Sequence, residues 1–194
     1  MRWLCAILLA SLSSLLASAQ GEIRVPHGRP VLLDGTAEPG EWTDANATAL
    51  SGGIRFYVKQ SEQYLWLAIE LPAGNDGAID LYISPSLSEI YDLHASAKLG
   101  ERKLSNGKWA EWEWWNNRSW VANTSRVDSF EKASFLPTNV REYQIRIDKF
   151  AERKWKVMFE LLTPAKPEWK TTAYPEHASN SNTKNWWTLN LEGQ

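Results

Sequence analysis

Apolar and polar residues alternate with period two through most of this chain. In GIRFYVKQ, Ile54, Phe56 and Val58 fall on one side, and Arg55, Tyr57 and Lys59 on the other. AIDLYIS sets Ile79, Leu81 and Ile83 against Asp80 and Tyr82; EYQIRID does the same with Tyr143, Ile145 and Ile147, and KWKVMFELL with Trp155, Val157 and Phe159. QYLWLAIEL is an almost unbroken apolar run of strand formers, and NWWTLNLEG ends the chain on another strand pattern. This spacing predicts β-strands, and no stretch of a dozen residues carries helical periodicity. The breaks (EPGE, SGG, PAGNDG, SNGK, TPAKPE) have turn chemistry. The pattern predicts an all-β fold, an antiparallel, jelly-roll-like β-sandwich of about nine or more strands. The polar segment from Thr172 to Lys184 is expected to be a long surface loop before the final strand.

The first residues lie outside that pattern. MRWLCAILLASLSSLLASAQ has one early charge, Arg2, an apolar run, and small residues at Ala17, Ser18 and Ala19. That is the layout of a cleavable secretory signal, too short and Ser-rich for a membrane span. Residues 1–19 are expected to be removed and 20–194 to form one domain, secreted or periplasmic. Cys5 is the only cysteine, so the exported part folds without disulfides on an ordinary core. With 21 Lys+Arg against 23 Asp+Glu and no dense basic stripe, a nucleic-acid partner is disfavoured. No second apolar run reaches membrane length.

Five of the twelve tryptophans fall in KWAEWEWWNNRSW, residues 108–120. As an uninterrupted strand, it sends Ala110, Trp112 and Trp114 to one face, uniformly apolar and expected to enter the core. Trp109, Glu111, Glu113 and Trp115 take the other face. Carboxylates are almost never buried unpaired, so that half-polar face is expected to be open. It suits a sugar: indole rings stack on the pyranose, and carboxylates or the amides of Asn116 and Asn117 meet its hydroxyls. Cross-strand aromatic pairing is the competing, purely structural use. Trp186 and Trp187 must point to opposite faces of a strand. Trp187 shares parity with Leu189 and Leu191, so Trp186 is expected to face outward as a second wall. Trp42, Trp66 and Trp155 are assigned to the core; Trp120 and Trp169 are left open.

One stretch carries more than composition. RPVLLDGTAEPGEWTDA contains Pro30, Asp34-Gly35, Glu38, Gly40-Glu41-Trp42 and Ala45, followed by FYVKQSEQYLWLAIEL. It resembles the opening of the family 9 carbohydrate-binding modules and their DOMON-like relatives, and YPEHASNSNTKNWWTLNL is similar to their closing strand. The resemblance implies a β-sandwich that holds the end of a sugar chain between tryptophans, with structural calcium in many members. By their chemistry Asp34, Gly35, Glu38, Glu41 and Trp42 shape and cap the sandwich; Asp34, Glu38 and Glu41 are also the calcium candidates, since calcium takes several oxygens. The chain departs from the family at Asp148, where a proline is common, and from Ser84 to Ser134, which matches no part of the pattern. The family's sugar is therefore not transferred.

Catalytic signatures are missing. G-x-S-x-G, H-E-x-x-H and a nucleophilic cysteine are not present, and His27, His94 and His177 are isolated in sequence. Glu111 and Glu113 would sit side by side, whereas glycosidases need carboxylates facing across a cleft. The sequence thus points to an exported, non-catalytic carbohydrate-binding protein without cofactor. The alternatives are a non-sugar assembly module that meets another exported protein with the same aromatic face, and a haem-binding DOMON-type domain using Met158. Asn46, Asn117 and Asn123 stand in N-x-S/T sequons, glycan acceptors only in a eukaryotic secretory route.

Overall fold

In a computed structural model, the described residues are 21–38, 40–75, 77–114, 119–123, 127–129, 132–133 and 138–191. The fold class is as expected: two sheets face each other, and a two-stranded ribbon forms separately. The larger sheet contains β1 (Glu22–Arg24), β5 (Ala78–Ser86), β6 (Glu89–Ala95), β7 (Leu99–Ser105), β8 (Lys108–Trp109), β9 (Glu113–Trp114), β14 (Lys154–Pro164), β15 (Trp169–Tyr174) and β16 (Trp187–Asn190). Their order is β1-β16-β14-β5-β6-β7-β8, with β15 also on β14 and β9 also on β7. The smaller sheet, in order β10-β13-β4-β3-β2, contains β2 (Asn46–Ala49), β3 (Arg55–Gln60), β4 (Tyr64–Glu70), β10 (Trp120–Ala122) and β13 (Val140–Arg146). The ribbon is β11 (Val127–Ser129) with β12 (Lys132–Ala133). Among the described residues no helix is long and apolar enough to cross a membrane.

The alternating residues fill the space between the sheets. Ile79, Leu81, Ile83, Leu93, Val157 and Phe159 from the larger sheet meet Phe56, Val58, Leu67, Ile69, Tyr143 and Ile145 from the smaller. Trp155, expected in the core, is fully enclosed there, and Trp120 joins the same cluster. The unbroken apolar run of β4 has its reason in a second layer. Leu65, Leu67 and Ile69 face inward, while Trp66 and Ala68 face the other way and are covered by Trp42 and its neighbours. Trp42 and Trp66 are thus buried as expected, under the opening motif rather than between the sheets.

That motif works as local architecture. Gly35 has φ +83°, a left-handed conformation open to glycine, and its N–H donates to Glu142 Oε2 at 2.8 Å. A Cβ there would lie 2.6 Å from Thr138 Oγ1. One expectation is corrected: Thr172–Tyr174 is not loop but the end of β15, paired with Phe159, Glu160 and Leu161. Threonine-rich WKTTAY is polar because it forms an edge, which water can reach on one side.

Candidate functional site

The outer face of the larger sheet, turned away from the core, carries a constellation built from five strands. Cross-strand register aligns Glu160, Asp80, His94, Gly100 and Trp114 in one row across β14, β5, β6, β7 and β9. The adjacent row is Met158, Tyr82, Asp92 and Arg102. Residues directly opposite across strands are close enough to interact, so each row is a line of chemical contact.

The tryptophans reach this face through a bulge. Leu104 pairs with Trp109, and Gly100 pairs with Trp114. Four steps along β7 therefore match five along the opposite chain, and the surplus residue between β8 and β9 inverts the side-chain parity. This corrects two expectations. Trp112 and Trp114 do not enter the core; they lie on the outer face with Trp109, and Trp114 is 53% exposed. Glu113 pairs with Glu101 and so faces the other side from Trp114. Glu111 and Glu113 are both exposed.

The rings form a ladder. Trp114 stacks on Trp112 at 5.2 Å with an interplanar angle of 20°. The Arg102 guanidinium sits between Trp112 and Trp109, 4.3 and 4.4 Å from their ring centres. Trp109, half-buried, then meets Tyr82 at 6.1 Å. Gly100 makes the arrangement possible, because a Cβ there would come within 2.8 Å of Trp114 and 3.1 Å of Trp112.

Beside the ladder lies a polar floor. The Asp80 carboxylate accepts from His94 Nδ1 at 2.5 Å, and His94 Nε2 meets Ser96 Oγ at 2.8 Å. The edge of the His94 ring contacts Trp112 and Trp114, at 5.7 and 6.0 Å. Arg102 Nε donates to Asp92 Oδ2 at 2.9 Å, and Tyr82 OH donates to Glu160 Oε2 at 2.9 Å. Asp92 is wholly buried, and its Oδ1 has no hydrogen-bond partner. Burial, reinforced by the Asp80 charge and only partly offset by Arg102, pushes its carboxyl up to about 8. Burial likewise raises the Glu160 carboxyl and the Tyr82 phenol.

The remaining predicted site residues divide as follows. Trp115, Asn116 and Asn117 lie outside the described residues. Trp186 does turn away from Trp187, as its parity required, but it is 0% exposed rather than open. It packs with Tyr82 and Met158, and Nε1–H donates to Ser179 O at 2.9 Å within the segment preceding β16. The loop that follows β15 covers it, so it offers no free face. Met158 is enclosed in the same cluster, and both His94 nitrogens are occupied, so neither fits an axial haem ligand. The calcium candidates do not fit a cage either. Asp34 Oδ1 accepts from Thr36 N and Oγ1, Glu41 Oε1 from Leu32 N, and Glu38 is exposed. Among the described residues no three acidic or histidine side chains gather to hold a metal. The sequon at Asn123 is shut: its amide donates to Val140 O and accepts from Glu142 N inside the fold.

Sequence reasoning missed Asp80, Asp92, His94, Glu160 and Arg102. Their signal was present, since a charged residue stands at the same parity in AIDLYIS, EIYDLHA and VMFELL. A second concavity, of about 460 Å³, opens between Thr48–Ser51 and Tyr174–His177. Its Trp187 and Tyr174 rings are buried and stacked on Phe56 and Phe159 respectively.

No family model and no curated protein matches the sequence. Among solved structures, the chain is similar to a family 9 carbohydrate-binding module from Caldicellulosiruptor kristjanssonii in complex with cellotriose. The TM-score is 0.52 at 12% identity, over 89% of this chain and 94% of that one. A family 9 carbohydrate-binding module from the same organism in complex with glucose gives 0.52 and 12%, over 89% and 96%. The fold of this chain is that of the family 9 carbohydrate-binding modules.

Proposed function

We propose that this chain is an exported, non-catalytic carbohydrate-binding protein that stacks a sugar ring on the exposed tryptophan of its outer sheet face. One observation carries the reading. Trp114 stacks on Trp112 beside Gly100, half open to water, with the edge of the His94 ring 6.0 Å away. A pyranose presents C–H groups on its face and hydroxyls at its rim, which suits an indole bordered by polar side chains. The two similar modules, with cellotriose and glucose bound, support the same class of ligand. Export rests on residues 1–19, and the mass of the product released from cells tests it directly.

Titration with mono- and oligosaccharides, followed by tryptophan fluorescence, tests the binding itself. We expect a saturable change with some sugars and affinity at least about tenfold weaker in Trp114→Ala, with the unfolding midpoint kept. A folded protein that responds to no sugar would sink this reading and leave the assembly module in its place.

A further inference from the structure

We infer that the ligand of this face is one extended glycan chain of roughly six rings or more, held at two stations, Trp114 and a second exposed indole, Trp169. The inference rests on the carbohydrate reading above and adds the length of the ligand.

Trp169 is 60% exposed, and among the described residues it and Trp114 are the exposed tryptophans. Register puts both on one face of the larger sheet. Trp169 pairs with Pro164, an even number of residues along β14 from Glu160. Its side chain therefore shares the parity of Glu160, and with it that of the row that ends at Trp114. The ring is also held in place. Trp169 ends the paired part of the β14–β15 hairpin, and in the turn beyond it Ala165 N–H donates to Glu168 O at 3.0 Å.

The separation sets the ligand. From β9 through β7, β6, β5 and β14 to β15 the strand spacing amounts to about 24 Å. The row of Trp114 meets β15 at Ala173, and Trp169 lies about 13 Å further along that strand, which makes roughly 27 Å in all. A trisaccharide, at about 5 Å per ring, covers about half of that span, and a chain of about six rings covers it. Between the stations the same face carries Thr171, Leu162 and Ala78, opposite one another across β15, β14 and β5. This strip is uncharged, with Thr171 exposed and Leu162 half-buried, and suits the C–H faces and hydroxyls of a neutral chain. The loop over Trp186 packs on Tyr82, Met158 and Ala173, in the rows to one side of it. Strand twist turns the two indoles out of a common plane. A single chain, free to turn at each linkage, follows that twist, whereas a flat array of packed chains does not. Two weak stations on one molecule reinforce each other only when the ligand is long enough to reach both.

Calorimetry with the purified protein compares trimers and hexamers of β-1,4-linked glucose, xylose and N-acetylglucosamine. For a sugar that binds, the hexamer is expected to bind at least about tenfold more tightly than the trimer, above the roughly fourfold that its overlapping trimer registers supply. Trp169→Ala should keep the unfolding midpoint, because the ring is mostly exposed. In that variant the hexamer should lose its surplus while the trimer binds as before; Trp114→Ala should weaken both. A smaller gain with length, or one that survives Trp169→Ala, would overturn the inference and leave the carbohydrate reading standing. So would a Trp169→Ala protein altered only in self-association by sedimentation, since the indole would then meet a second copy of this chain. If no trimer and no hexamer binds, the carbohydrate reading falls first and this inference with it.

Discussion

Glu142 is fully buried on β13, where Oε2 accepts from Gly35 N–H at 2.8 Å and Oε1 has no hydrogen-bond partner. Burial, with Glu41 and Asp34 adding negative charge nearby, raises its carboxyl from 4.5 to about 7. A carboxyl whose pKa is higher in the folded state than in the unfolded one stabilises the fold fully below the unfolded value. That contribution is lost as pH rises through the folded value. Linkage with these two values gives a loss of about 2.5 kcal/mol between pH 5 and pH 8. Glu142→Gln keeps the shape and an acceptor for Gly35 but removes the titration. Urea unfolding of both proteins at pH 5.0 and 8.0 gives a double difference in which other titrating groups, Asp92 among them, cancel. The variant should gain about 2.5 kcal/mol relative to the parent at the higher pH. A stability difference independent of pH, or one moving the other way, would refute the buried-carboxyl account.

Three further outcomes follow from the geometry. Gly100→Val drives a side chain into the space of Trp114 and Trp112; sugar affinity should fall at least about fivefold, and unchanged affinity in calorimetry would separate the stacked pair from binding. Arg102→Lys exchanges a planar guanidinium clamped by two indoles for a point charge, and should lose about 1–2 kcal/mol in urea unfolding; no loss would make the sandwich incidental. Trp155→Ala empties a fully buried core position and should cost about 3–5 kcal/mol, with a loss under about 1 kcal/mol showing that the site collapses without it.

What the sequence revealed is what depends on neighbours in the chain. The strands at β3, β5, β13 and β14 were legible because period two is local, and the buried parity of Ile79, Leu81 and Ile83 follows from it. The site was legible only in part. The bulge between Trp109 and Glu113 changes no composition and no turn signal, so counting parity through WAEWEW sends Trp112 and Trp114 to the wrong face. Trp186 was read correctly in direction and wrongly in exposure, since parity says which way a ring points and nothing about the loop that closes over it. The polar floor draws Asp80, Asp92, Arg102 and Glu160 from separate strands, and their meeting is fixed by sheet order, which alternation does not encode.

The single surplus residue between β8 and β9 is what gathers Trp109, Trp112 and Trp114 on one side of the sheet. Deleting Ala110 or Glu111 removes the surplus and leaves a plain ladder in which Leu104 still faces Trp109 and Gly100 still faces Trp114, so the three rings keep one face. Pairing the same residues without the bulge would instead set Trp112 opposite Glu101 and turn it toward the interior, where Trp120 and Lys149 already occupy that carboxylate. The aromatic surface therefore comes with a fault in the ladder, and a shorter chain at this point would present the same rings without one.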